Sequence, residues 1–394
     1  MHHLDALRAM LLLQVVPYHV ATLYATQPDW FVKSDDKSLL MTWVSGALGI
    51  YSMTGFFMIS GWLTIRYLKS RSIDQWMWVR LERLGIPFIS CLLLLGPFSI
   101  LAGTLAADQG VVAAQDIFGG DYLSNLLVVD SRWLGHLWFL PTLLIFSGLI
   151  WLAYKARIYD PLLRGLTSAV NAIPGDFACW VFVIAVVCVW RTVAQTLSFV
   201  VDEHFGSERP LIGILNFNRL LVHFPAIMLG LMIGYSDTLR RRLMQATWLR
   251  TSLVIFFILV FVALSSAESF ELKVFEAIIK NGLGVAICTV LIAGLESVFA
   301  RPQKWVQFIS KHSYSVYLFH FATAVLLGVA FRAIHWPPVV EFLVITALTL
   351  SFSFCCAVII SRSQTLSFIF NGIPPSQYRK ATEKTFRTPS RNQA

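Results

Sequence analysis

Long apolar runs separated by short polar stretches recur along the whole chain. Each run is long enough for a helix to cross the hydrocarbon core of a bilayer, which takes about 17 to 25 residues. Ten runs meet this length, at 5–26, 44–68, 84–106, 136–154, 178–199, 217–235, 249–267, 275–296, 313–332 and 338–361. The pattern predicts an all-α, polytopic membrane helix bundle with about ten transmembrane helices.

Composition and domain organisation agree with this prediction. The chain is 57% hydrophobic and only 13% charged, with a mean hydropathy of +0.67, which is outside the range of soluble domains. The longest polar connection, at 107–135, is too short to fold independently. We predict one transmembrane domain at 1–365 and a basic cytoplasmic tail at 366–394, which we expect to be disordered.

The formal net charge of +9 reflects an uneven distribution of cations among the predicted loops. Alternate loops are rich in Lys and Arg, whereas the intervening loops hold most of the Asp and Glu. The positive-inside rule places both termini in the cytoplasm, together with the loops that carry Arg66, Lys69, Arg71, Arg80, Arg83, Lys155, Arg157, Arg164, Arg240, Arg241, Arg242, Arg250, Arg301, Lys304 and Lys311. Nucleic acid is therefore not expected as a partner.

The cysteines and the N-terminus add two expectations. All six cysteines fall inside predicted spans, without metal-ligand spacing, so neither a metal site nor a disulfide framework is predicted. The N-terminus has no basic leader and no small-residue cleavage site, so we expect the first apolar run to be retained as a membrane span.

The first predicted helix carries two ionisable residues, Arg8 and His19, on nearly the same face. They are eleven residues apart, which is just over three turns and roughly 16 Å. An ionisable side chain within the membrane marks a candidate functional site. Pro17 removes a backbone donor and frees the Leu13 carbonyl, which we expect to kink the helix next to His19. The alternative is a histidine that only hydrogen-bonds between helices.

Two arginines, Arg80 and Arg83, lie one predicted helical turn apart at the cytoplasmic edge of the third span. Two guanidinium groups at this spacing can bind phosphate oxygens in a bidentate manner. The alternative is simple anchoring at the membrane interface, which is the commoner role of such residues in membrane proteins.

Three further segments combine polar and apolar residues in ways that permit packing or binding. Ser60 and Gly61 lie between large apolar residues, a pattern that allows close approach of helices. His136 and Trp138 lie where the fourth span meets the outer face, a position where tryptophan is common in any case.

The third segment is the ninth span. Ser313, Tyr317 and His320 recur there at helical spacing, so their stripe is predicted to face protein rather than lipid.

These segments occur in a fixed order: R-x10-H, F-F-x-I-S-G-W-L, V-R-L-E-R-L-G-I-P, H-L-W-F-L and S-Y-S-V-Y-L-F-H. The series resembles the acyltransferase-3 family of membrane O-acyltransferases over nearly the whole chain. Within that family, H-L-D-A-L-R-A, P-Y-H and V-R-L-E-R-L-G-I-P are most similar to the members that modify osmoregulated periplasmic glucans.

The resemblance implies an enzyme of the bacterial inner membrane that moves an acyl group from cytoplasmic acyl-CoA to hydroxyls of periplasmic glucans. Succinyl-CoA is the expected donor substrate, and no permanently bound cofactor or metal is implied. Membrane lipids and proteins of glucan synthesis are the other expected partners.

The resemblance also implies roles for individual residues. Arg8 and His19 match the family's essential pair and are the predicted catalytic residues. The predicted substrate-binding residues are Ser60, Arg80, Arg83, His136, Trp138 and His320. A neutral imidazole is suited to take the proton of a sugar hydroxyl as it attacks a thioester, which fits His19.

Two other functions are compatible with a polytopic bundle. A transporter or flippase for a glycan or an acyl carrier is expected to show internal repeats and paired interrupted helices, and neither is evident in the sequence. A non-catalytic scaffold leaves the juxtaposition of Pro17 and His19 unexplained.

Overall fold

The computed structural model describes residues 2–26, 32–107, 126–127, 131–205, 214–265, 267 and 269–378. Within these ranges the chain is helical and contains no β-strand. The helices are α1 (His2–Tyr24), α2 (Leu39–Leu68), α3 (Ile73–Arg80), α4 (Ile86–Ala107), α5 (Ser131–Leu134), α6 (Phe139–Lys155), α7 (Tyr159–Asn171), α8 (Asp176–Phe205), α9 (Phe217–Tyr235), α10 (Asp237–Leu243), α11 (Trp248–Leu264), α12 (Phe270–Val298), α13 (Lys304–Phe331), α14 (Pro338–Arg362) and α15 (Gln364–Asn371). A π-helical turn (Leu81–Gly85) joins α3 to α4, and a 3₁₀ turn (Gly135–Trp138) joins α5 to α6.

The predicted membrane bundle is confirmed. Nine helical stretches in the described ranges are long and apolar enough to cross a membrane, and there are ten if α10 and α11, bent by 63°, form one broken span. The predicted tail begins inside α15, so its first residues are helical, and residues 379–394 lie outside the described part.

Helix α1 lies at the centre of the bundle. It packs against α2, α12, α13 and α14, and Leu11, Val15, Val16 and Val20 have no exposed surface. Neighbouring helices rather than lipid therefore cover these side chains. At its end, the Tyr24 hydroxyl donates a hydrogen bond of 2.7 Å to buried Glu341, 317 residues later in the chain.

Helices α2 and α9 approach each other closely through two glycines. A Cβ atom on Gly61 would collide with the Ile227 carbonyl oxygen, and one on Gly230 would collide with the Met58 carbonyl oxygen. The close approach predicted from Ser60-Gly61 is therefore present, and it fixes the position of Ser60.

We expect Gly61→Val to lower the free energy of unfolding by about 1 to 3 kcal/mol. The atoms that the new side chain would meet belong to the backbone of α9, so no flexible side chain can move to make room. Gly148→Ala is the matched control, since a Cβ at Gly148 meets nothing within 4 Å. Thermal unfolding in detergent should separate the two variants. Equal melting temperatures would contradict the packing described for α2 and α9.

The N-terminus and several basic loops share one face of the bundle, which we call the basic face. The ring of Trp62 lies 5.8 Å from the His3 ring, and the Arg240 guanidinium lies 5.9 Å from Trp62. Lys155 pairs with Asp74 at 2.8 Å on the same face. The cytoplasmic location of this face remains a prediction from the positive-inside rule.

Added single cysteines can test that orientation. We expect a membrane-impermeant maleimide to label Asp35→Cys in intact cells, and to label Arg71→Cys and Arg241→Cys only after permeabilisation. Labelling of Arg241→Cys from outside would contradict the predicted topology.

Candidate active site

Three histidines from distant parts of the chain meet in the interior of the bundle. His19 lies on α1, His136 on the 3₁₀ turn before α6, and His320 on α13. The ring centroids of His19 and His320 are 5.1 Å apart, and those of His136 and His320 are also 5.1 Å apart. We call these three residues the histidine cluster. The structure thus brings together three of the residues singled out from the sequence.

Tyr317 organises two of these rings. Its hydroxyl donates a hydrogen bond of 2.7 Å to the His136 carbonyl. Its own carbonyl lies 3.1 Å from Nε2 of His136 and 2.7 Å from Nδ1 of His320. Because a carbonyl only accepts, both ring nitrogens must carry the proton. In its neutral form, His320 therefore presents an unprotonated Nε2.

The Nε2 atom of His320 is the chemically available end of that ring. His320 is fully buried, and within the described residues Nε2 has no hydrogen-bond partner. Buried polar atoms are normally satisfied by protein, water or a ligand. The lone pair of His320 therefore marks a position for a proton-bearing group inside the bundle.

Aromatic side chains surround the cluster. Phe321 stacks on His136, with a centroid distance of 4.8 Å, and meets His19 edge-on at 5.4 Å. Tyr18 also contacts the His19 ring, at 4.8 Å. These contacts hold the imidazoles in fixed orientations. Among the described residues, no group of three or more His, Cys, Asp or Glu side chains could hold a metal ion.

A second group of predicted residues lies towards the basic face, and we call Arg8, Ser60, Arg80 and Arg83 the basic rim. Nη2 of Arg80 donates to Oγ of Ser60 at 3.2 Å and to Oγ1 of Thr64 at 3.2 Å. The positive charge of Arg8 acts on Arg80. Ser60 therefore contacts Arg80 directly, which sequence spacing did not indicate.

The spacing of Arg80 and Arg83 differs from the sequence expectation of one α-helical turn. The π-helical turn begins directly after Arg80, and its wider i→i+5 hydrogen bonding rotates Arg83 away from the α-helical position. The Arg83 carbonyl accepts a hydrogen bond of 2.8 Å from the Tyr314 hydroxyl. Such π-bulges often occur at functional sites.

The C-terminal helix α15 covers the π-helical turn. Gly372 ends α15 with φ of 56°, the left-handed conformation that favours glycine at a helix end. A Cβ atom there would collide with the Glu82 carbonyl oxygen. Asn371 accepts a hydrogen bond of 2.8 Å from Ser315 on α13. The Asn-Gly pair therefore packs the end of α15 against α13 and the π-helical turn.

Trp138, predicted as a substrate-binding residue, takes part in a stack of rings. His223 on α9 stacks on Trp138 at 5.5 Å and on Phe57 at 4.6 Å. The Arg219 guanidinium lies 4.9 Å from the Trp138 ring. Trp138 therefore contacts His223 and Arg219 within the protein, in addition to lying where an interfacial tryptophan is common.

Arg191, Arg219 and His223 were not predicted as site residues from the sequence. A signal was available, because Arg191 and His223 lie inside the predicted spans 178–199 and 217–235. The rule that drew attention to His19, that ionisable side chains are rare within membranes, applies to them equally.

Comparison with known families gives one match that covers most of the chain. The family described as an acyltransferase domain, acyltransferase-3, matches residues 1–358. The match contains all three histidines of the cluster and the whole basic rim.

Individual relatives are similar over a smaller part. Glucans biosynthesis protein C from Escherichia coli strain K12 is 29% identical over 157 residues. The proteins of the same name from E. coli O1:K1 / APEC and from O157:H7 strain EC4115 show the same identity. The match covers 40% of this chain and 40% of the length of these relatives. No solved structure matches the chain.

Proposed function

This chain belongs to the acyltransferase-3 family, and from this premise we propose that it transfers a succinyl group from cytoplasmic succinyl-CoA to hydroxyls of osmoregulated periplasmic glucans. The protein is a multi-pass membrane protein, and we place it in the bacterial inner membrane. The relatives named for glucan biosynthesis support the choice of acceptor. The family assignment favours acyl transfer over the transporter considered from the sequence.

The observation that carries the proposal is the meeting of three histidines inside the bundle, one of them on the helix that also carries Arg8 of the basic rim. Arg8 and His19 both lie on α1, which is continuous from His2 to Tyr24, so they are separated by roughly 16 Å along the helix. The rim arginines suit the phosphates of CoA, while the thioester reaches towards the histidine cluster.

At the cluster, we assign His19 as the general base. It takes the proton of the sugar hydroxyl as the oxygen attacks the thioester carbonyl. The new C–O bond forms and the C–S bond breaks, and the imidazolium then returns the proton to the departing CoA thiolate. His320, with its fixed ring and available Nε2, lies beside His19 and is suited to orient it or to share the proton.

The direct test is a reconstituted reaction. Purified protein in liposomes should transfer succinyl from succinyl-CoA to purified unsubstituted glucan, detected by mass spectrometry as a mass increment of one succinyl group per modified hydroxyl. Glucan without added protein is the control. Transfer of another acyl group in preference to succinyl would contradict the donor assignment, and glucan transport without modification would contradict acyl transfer itself.

A further inference from the structure

Two arginines, one beside the turn that carries His136 and one buried in a neighbouring helix, take no part in the proposed reaction. Arg219 lies near the start of α9, with its guanidinium 4.9 Å from the ring of Trp138. Trp138 is in the same 3₁₀ turn as His136. The charge of Arg219 also acts on Tyr317, whose carbonyl contacts His136 and His320. Arg219 is therefore adjacent to the cluster.

The second arginine, Arg191 on α8, is buried within a membrane-crossing helix. Only 9% of its surface is exposed. Its Nη1 donates to the Asn281 carbonyl at 3.3 Å, but Nε has no hydrogen-bond partner within the described ranges. Among the described residues, Arg191 forms no ion pair with an Asp or Glu side chain. A buried cation without a counter-charge is costly, so an anionic ligand would stabilise this arrangement.

His223 connects the two arginines. Its ring lies between Phe57 and Trp138, nearly parallel to both, with interplanar angles of 19° and 21°. The indole of Trp190, the neighbour of Arg191 on α8, donates a hydrogen bond of 2.7 Å to the Leu221 carbonyl on α9, and both arginines are close enough for their charges to act on His223. We call these three rings and the two guanidinium groups the arginine site.

We propose that the arginine site binds the free carboxylate of a dicarboxylic acyl group while its thioester carbonyl lies at the histidine cluster. This inference rests on the proposed function and specifies its donor class. A succinyl thioester carries a carboxylate two methylene groups beyond the reacting carbonyl. Guanidinium groups bind carboxylates through paired, charge-assisted hydrogen bonds, and the aromatic rings suit the methylene groups.

The same arrangement explains how a neutral acyl donor would be rejected. Butyryl-CoA has an acyl chain of the same length with a methyl group in place of the carboxylate. With that donor bound, Arg191 would remain buried without a counter-charge. Sites built to pair with a polar substrate group discriminate strongly against analogues that lack it.

The test compares these two donors with purified full-length protein in liposomes and unsubstituted glucan as acceptor. For Arg191→Gln and Arg219→Gln, we expect the ratio of kcat/KM for succinyl-CoA to that for butyryl-CoA to fall roughly 10- to 100-fold, as for the loss of a hydrogen bond to a charged group. The rate with butyryl-CoA should stay close to wild type. Lys37→Gln, which removes an exposed cation, is the control and should leave the ratio unchanged.

The conservative variants Arg191→Lys and Arg219→Lys retain the charge and keep the test valid if a glutamine variant fails to fold. They should keep part of the succinyl preference, because an ammonium group lacks the paired donors of guanidinium. An unchanged ratio in all folded variants, or equal losses with both donors, would overturn the inference. So would a wild-type enzyme that uses butyryl-CoA as well as succinyl-CoA, although acyl transfer itself would then stand.

A second acceptor distinguishes the source of the carboxylate. Glucan that already carries succinyl groups is also an anion, and a loss confined to that acceptor would overturn the assignment to the donor. Wild-type protein that transfers neither acyl group would contradict the proposed function, and with it the inference.

Discussion

Replacing His19 with alanine is expected to slow acyl transfer by a factor of about 10² to 10⁴, the usual contribution of a general base. The variant should still insert and fold, because most of α1 packs through other residues. Donor binding should be nearly intact, since the phosphates are assigned to the basic rim. The measurement is turnover at saturating donor, with binding determined separately.

His312→Gln is the matched control for this experiment. His312 is a buried histidine on α13, the helix that carries His320, and its Nδ1 lies 2.8 Å from the Phe308 carbonyl. It should retain turnover. Near-normal turnover by His19→Ala would reject the general-base role, and a collapse in His320→Gln alone would transfer that role to His320.

Removing both charges in Arg80→Gln/Arg83→Gln should raise the Kd for acyl-CoA by roughly tenfold or more. Charge-assisted hydrogen bonds to phosphate are among the stronger polar contacts, and Arg80 is already held by Ser60 and Thr64. Binding of acyl-CoA to the purified double variant is the measurement. Turnover at saturating donor should fall less than binding does.

Arg164→Gln separates specific binding from the general field of the basic face. Arg164 is exposed on α7, on the same face but away from the rim. Equal weakening by this control would assign the effect to the surface charge, and unchanged binding by the double variant would leave the rim arginines as membrane anchors.

Arg8→Ala should weaken donor binding as well as turnover, unlike His19→Ala.

The number and order of the membrane helices could be predicted because bilayer thickness sets the length of each apolar run. The ends of the helices were harder to predict. The third span was predicted to begin at 84, whereas the helical stretch begins at Ile73. The ninth was predicted to begin at 313, whereas α13 begins at Lys304. Hydropathy reports contact with lipid, but hydrogen bonding continues a helix into polar sequence at the membrane surface.

Individual histidines could be recognised from the cost of ionisable groups in membranes, but their meeting could not. His136 contacts Tyr317 across 181 residues of sequence, and no local pattern encodes such a distance. The π-helical turn could not be predicted either, because its sequence, Leu81–Gly85, is compatible with an α-helix. Its geometry places Arg80 against α2 and the Arg83 carbonyl against α13.

The central position of α1 has a consequence for how the protein is made. Among the helices described above, α1 is synthesised before those it contacts, α13 and α14, and its Tyr24 hydrogen-bonds to Glu341, 317 residues later in the chain. Contacts so distant in sequence form slowly. During synthesis, α1 is therefore in the membrane before the helices that it finally contacts. The histidine cluster therefore forms only after α13 has been synthesised, and a polypeptide truncated before α13 would carry His19 and the arginines of the basic rim but no assembled site.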